Sequence, residues 1–145
     1  MNKSLARPKG MDLSRLVEQG LLAEDACRRW EERFTLVETP SAMAECPFVV
    51  ESVAEDLELK RRIFAELEDA LAPDAVIASN TSAYPVTCLQ HERRRPERIV
   101  VMHWAEPAWI TRYLEIVPGE KTNDRTVDLA RDLGLALGKE PTVLK

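Results

Sequence analysis

No run of apolar residues in this sequence is long enough to cross a bilayer. The longest, such as Ile99-Val100-Val101-Met102, fall far short of the roughly 20 residues that a spanning helix needs. The first ten residues, Met1 to Gly10, carry basic side chains but no apolar segment after them, so a secretory signal is not expected. Cysteine is scarce: Cys27, Cys46 and Cys88 are odd in number and widely spaced. They form neither a disulfide framework nor a metal-ligand pattern, which points to a reducing compartment, read as cytoplasmic, and to no metal. Positive charge does not dominate either. A net charge of −5 argues against nucleic acid as the main partner. Glycine is rare as well, and none of Gly10, Gly20, Gly119, Gly134 and Gly138 makes a G-x-G. The turn that brings backbone amides to a dinucleotide pyrophosphate is therefore missing. There is also no phosphate-binding loop of the Walker type, no H-E-x-x-H and no nucleophile elbow.

What is present fits one ordinary soluble domain: 145 residues, 45% hydrophobic and 31% charged. Residues 12 to 34 read as helical with a break at Gly20, and Phe34-Thr35-Leu36-Val37 as a short strand. A regular rhythm follows. Phe48 to Val53, Ala75 to Ala78, Arg98 to Met102 and Arg112 to Val117 are near-continuous apolar runs, as expected of strands buried on both faces. A last strand begins at Pro141-Thr142-Val143-Leu144. Between the first two runs, Asp56 can cap a helix whose stripe is Leu59, Ile63, Phe64, Leu67 and Leu71, stopped by Pro73. The segment Tyr84 to Arg95 is polar and partly helical. A further helix spans about Asn123 to Leu137, with Val127, Leu129, Ala130 and Leu133 on its buried side and Gly138 as its terminal cap. This alternation predicts an α/β fold with a mostly parallel sheet covered on both sides.

Ligands of such sheets bind beyond the C-terminal ends of the strands, and unusual polar residues fall there three times. Glu51 and Glu55 come at the end of the first buried run, Ser79-Asn80-Thr81-Ser82 after the second, and His103 and Glu106 after the third. A histidine at a strand end suits a general acid or base near neutral pH. Its orienting carboxylate would be Glu115, which is costly inside an apolar strand unless paired. The plainer alternative is a structural histidine with Glu115 facing solvent. Likewise the hydroxyl cluster also reads as turn chemistry, and Glu55 and Lys60 as a first-turn acid and a surface lysine. His91 and the arginines after it read as solvated surface. Trp104 and Trp109, on either side of the histidine loop, can wall the crevice or simply pack.

Five blocks then carry a resemblance. Phe48-Val49-Val50-Glu51-Ser52-Val53-Ala54-Glu55-Asp56-Leu57-Glu58-Leu59-Lys60, Ile77-Ala78-Ser79-Asn80-Thr81-Ser82, Met102-His103 with Pro107, Leu114-Glu115-Ile116-Val117-Pro118-Gly119, and Leu137-Gly138-Lys139-Glu140-Pro141 occur in this order. Residues 35 to 145 thereby resemble the NAD-binding domain of 3-hydroxyacyl-CoA dehydrogenases, including their carnitine and gulonate (lambda-crystallin) branch. The resemblance implies that His103 takes the substrate hydroxyl proton, Glu115 orients it, and Ser82 contacts both substrate oxygen and cofactor. It places Glu55, Lys60, Ser82 and Glu106 at the NAD side, and Asn80 with Ser82 at the substrate. One departure matters: the family's H-x-F-N-P is here His103-Trp104-Ala105-Glu106-Pro107, so a carboxylate replaces an asparagine.

The expectation is an incomplete Rossmann-type, doubly wound sheet lacking its first strand and glycine-rich loop. Residues 1–34 would be a helical lead-in and 35–145 the second half of the domain, with the family's helical C-terminal domain absent. The function implied is NAD-dependent oxidation of an L-3-hydroxyacyl-CoA or related 3-hydroxy acid, by a truncated or split enzyme. Rivals are a carnitine- or gulonate-type dehydrogenase and a non-catalytic interaction module. Expected partners are the small-molecule substrate and a second chain supplying the missing parts, or a homodimer, with neither nucleic acid nor membrane.

Overall fold

The computed structural model describes residues 17–20, 23–25 and 35–144. The chain divides into two compact units, Met1–Val37 and Glu38–Lys145. In the first, Val17-Glu18 and Glu24-Asp25 are helical, and a turn at Gln19-Gly20 interrupts them with Gly20 at φ 70°. The remainder of the expected helix, and Phe34, lie outside the described residues. Thr35-Leu36-Val37 forms no strand, contrary to its composition. Leu36 is 61% exposed, and no described strand pairs with it, so β-propensity has no ladder to act in.

The second unit is built on five strands: β1 Phe48–Glu51, β2 Val76–Ser79, β3 Ile99–Trp104, β4 Tyr113–Pro118 and β5 Glu140–Val143. They lie in the order β1-β2-β3-β4-β5. Three helices connect them: α1 Leu57–Ala70 between β1 and β2, α2 Val86–Gln90 between β2 and β3, and α3 Asp124–Ala136 between β4 and β5. Each helical crossover returns the chain to the same end of the sheet, so β1-β2, β2-β3 and β4-β5 pair in parallel. The β3–β4 connection over residues 105–112 holds no helix, and those strands pair antiparallel. The sheet is thus mostly parallel, with one reversal.

Alternation along the central strands feeds two cores. Ile77, Ile99 and Val101 pack with Phe64 and Leu67 of α1 and Val86 and Leu89 of α2. Val76, Ala78, Val100, Met102, Leu114 and Ile116 pack on the opposite face with Ala130 of α3. Each large apolar chain so buried contributes about 1.5–3 kcal/mol. Asp56 caps α1 by accepting from the Leu59 amide at 3.0 Å, and Asn123 caps α3 through the Thr126 amide at 2.8 Å. On α3 the buried line is Thr126, Ala130 and Gly134, spaced four apart, while Leu129 is 37% exposed and not part of the buried side as expected. Gly134 lets α3 settle on the sheet: a Cβ there would lie 2.7 Å from a Leu114 methyl carbon. Gly138 takes φ 73° and ends the helix, as its position suggested.

Candidate functional site

Because β1, β2 and β3 run in parallel, their C-terminal ends share one edge, and the reversal at β4 brings the start of that strand to the same edge. His103 and Glu115 are register partners across the β3–β4 pair. Opposite residues in a ladder share a face, so the two side chains meet. His103 Nδ1 lies 2.7 Å from Glu115 Oε2, with both side chains about one-third exposed. The Tyr113 hydroxyl donates to Glu115 Oε1 at 3.2 Å. The bond to His103 holds the Glu115 carboxyl below its ordinary pKa; partial burial opposes this and the Tyr113 hydroxyl adds to it. A carboxylate only accepts, so in the neutral ring Nδ1 carries the hydrogen and Nε2 the lone pair.

A second cluster supports the loop across the edge. Glu51 is buried in β1 and accepts from the Ser79 hydroxyl at 2.7 Å, the Val53 amide at 2.6 Å and Lys60 Nζ at 3.0 Å. The bend of Val53 back onto that carboxylate ends β1 at Glu51, two residues earlier than the apolar run predicted. Lys60, 1% exposed, also reaches the Val53 carbonyl and, at 2.9 Å, Glu55 Oε2. It is no surface lysine. Burial would lower the pKa of its ammonium, yet Glu55 and Glu51 together raise it. The other oxygen of Glu55 accepts from the Thr81 hydroxyl and from the amides of Ser82 and Ala83, at 2.5, 2.9 and 3.1 Å. Burial would raise the Glu55 pKa, but these donors and Lys60 bring it down to about 2.

Between the two clusters lies a cleft of about 260 Å³ whose walls include Ser82, Tyr84, Val101, His103, Glu115 and Val117. Ser82 is exposed, and among the described residues its hydroxyl has no protein partner. Asn80, expected at the substrate, has both ends of its amide engaged: Oδ1 accepts from the Trp104 amide at 3.0 Å and Nδ2 donates to the Ser52 hydroxyl at 3.1 Å. It ties the ends of β1, β2 and β3 together. Glu106 is exposed on the β3–β4 loop and outside the lining of this cleft. Trp104 does not wall the crevice. One residue past His103, it points to the other face and packs with the α3-side core, with Lys139 Nζ 5.7 Å from its ring centre. Trp109 is 53% exposed and His91 is exposed, as its polar neighbourhood suggested.

Sequence reasoning thus brings His103, Glu115, Ser82, Glu55 and Lys60 to one edge, and it missed the parts played by Glu51, Thr81 and Tyr113. The signal for Glu51 was present, since it is a carboxylate in an apolar strand just as Glu115 is. Among the described residues no group of three or more histidine, cysteine or acidic side chains is placed to hold a metal, and no helix is long and apolar enough to cross a membrane. The cleft thus gathers an imidazole backed by a carboxylate and a hydroxyl without a described protein partner, groups that general acid–base chemistry uses.

The family model for the NAD-binding domain of 3-hydroxyacyl-CoA dehydrogenase matches residues 2–145, further toward the N-terminus than the motif blocks alone extend. The chain belongs to this family. A 3-hydroxybutyryl-CoA dehydrogenase of Bradyrhizobium diazoefficiens is 33% identical over 132 residues, 91% of this chain and 45% of that protein. An L-carnitine dehydrogenase of Streptomyces griseus is 40% identical over 124 residues, 85% of this chain and 36% of that protein. The crystal structure of 3-hydroxybutyryl-CoA dehydrogenase from Escherichia coli K12 superposes with a TM-score of 0.85 at 31% identity, covering 90% of this chain and 28% of that one. The chain therefore spans half or less of the length of these relatives. The fold is that of a Rossmann-type dehydrogenase domain.

Proposed function

We propose that this chain carries the acid–base half of an NAD-dependent dehydrogenase that oxidises an L-3-hydroxyacyl-CoA, or a related 3-hydroxy acid, to the 3-oxo compound. Residues 1–34 are a lead-in and 35–145 the second half of the nucleotide-binding domain in this reading. The observation that carries it is the 2.7 Å contact between His103 Nδ1 and Glu115 Oε2 in the same cleft as Ser82. With its hydrogen on Nδ1 committed to Glu115, His103 takes the substrate hydroxyl proton at Nε2, and Glu115 compensates the imidazolium that forms. Ser82 holds the substrate oxygen by its hydroxyl and adjoins the cofactor. Glu55 accepts from the nicotinamide ribose, while Lys60 acts through Glu55, since its ammonium is enclosed by protein oxygens. NAD, when bound, supplies the hydride acceptor. Asn80 acts by fixing the strand ends around the substrate.

His103→Gln in the active enzyme should lower kcat by about 10²- to 10⁴-fold with a much smaller change in KM, because a general base works in the transition state. Glu115→Gln should cost less, since the base remains. Turnover that survives His103→Gln would overturn the assignment.

Glu106 favours a second reading for the substrate. An exposed carboxylate stands where the family has an asparagine, and a relative with L-carnitine in its name is 40% identical. A small 3-hydroxy acid bearing a cationic group suits that carboxylate better than a polyanionic CoA ester does. Comparing kcat/KM for L-carnitine and 3-hydroxybutyryl-CoA decides between the two. Glu106→Asn should favour the CoA ester if Glu106 sets the choice.

A further inference from the structure

Tyr113 and Glu115 are two residues apart on β4 and so share the face that His103 meets from β3. A glutamate side chain reaches its carboxylate through three rotatable bonds. A single contact, from His103 to Oε2, leaves the group free to turn about its last bond and exchange one oxygen for the other. The Tyr113 hydroxyl, 3.2 Å from Oε1, occupies the second oxygen. Tyr113 is 43% exposed, so packing accounts for little of its placement.

The neighbouring charges do not compete for that oxygen. Glu140, beside Tyr113 across the β4–β5 ladder, pairs with Arg112 at 3.1 Å. Lys139 is committed to the Ala108 and Thr111 carbonyls, and Glu55 to Lys60 and the loop after β2. Only His103 and Tyr113 are bonded to Glu115 among the described residues.

We propose that Tyr113 is a positioning residue for the His103–Glu115 pair, its hydroxyl holding Oε1 so that Oε2 stays on the imidazole. The effect on turnover rests on the dehydrogenase reading given above, whereas the geometry does not. Burial and its bond to Glu115 raise the Tyr113 pKa, so the phenol remains a donor throughout the neutral range. Its bond in turn lowers the pKa of Glu115.

Tyr113→Phe removes the hydroxyl and keeps the ring. In the chain with ¹³C-labelled glutamate and ¹⁵N-labelled histidine, the carboxyl titration of Glu115 should move up, since one of the bonds that lowers it is gone. The Nδ1–H signal of His103 should exchange faster with water, and the melting temperature should stay unchanged. In the active enzyme kcat should fall several-fold at constant KM. An unchanged Glu115 midpoint together with an unchanged His103 ring signal overturns the role of Tyr113, whatever the turnover. If both spectroscopic changes appear but the unsubstituted enzyme oxidises no 3-hydroxy acid, the positioning stands and the dehydrogenase reading falls.

Discussion

Two carboxylates at the strand ends use their charge differently. Glu115 faces a ring that can become a cation, whereas Glu55 is bonded to two backbone amides, a hydroxyl and a lysine. Its pKa near 2 against an ordinary 4.5 has a consequence for folding. A group whose pKa is depressed in the folded state stabilises fully above its unfolded value and loses that contribution as pH falls through the folded one. Stability should therefore decline between about pH 4.5 and about pH 2. Glu55→Gln should flatten that decline when urea midpoints are measured across the range. At this scale the sequence was legible where a charge sat in an apolar strand, because such a charge demands a partner. Lys60 was not legible, since a lysine in the first turn of a helix reads as surface unless its partners are known. They lie on β1 and the loop after it, five to nine positions earlier. Asn80 shows a related effect: turn residues near a crevice advertise free hydrogen-bonding groups, and here the strand ends engage both ends of its amide.

The elements followed their periodicities. Four-residue stripes became α1 and α3, and apolar runs became β1 to β5 with ends shifted by a residue or two. Two things escaped. An apolar run looks the same in either direction, so the reversal of β4 was hidden; its cue was the short, helix-free connection over 105–112. The triplet at 35–37 showed the converse, strand-like composition with no described strand paired to it. Glycine at 134 was also unremarkable as sequence, yet it sets how closely α3 lies on β4. Gly134→Val would force a branched side chain against Leu114, which is fully buried. A loss of about 1–3 kcal/mol is expected in chemical denaturation. A variant as stable as the parent would show that α3 can shift outward freely.

For the molecule as a whole, the groups for proton transfer and those for anchoring a dinucleotide are unevenly provided. No pair of glycines in the sequence is spaced to form the pyrophosphate turn. The chain alone is accordingly expected to show no saturable binding of NADH at micromolar concentration in a calorimetric titration, and tight binding would mean that another segment anchors the phosphates. The reversal at β4 has a further consequence. His103 and Glu115 are delivered by a hairpin of contiguous sequence, whereas Ser82 and the carboxylates that shape its loop arrive before the exposed turn at His91-Glu92. A break at that turn would leave the imidazole and its carboxylate together on one fragment, and the hydroxyl opposite them on the other. Such a seam would run through the cleft, its two lips on separate chains that meet only if the β2–β3 ladder and the cores on both faces re-form.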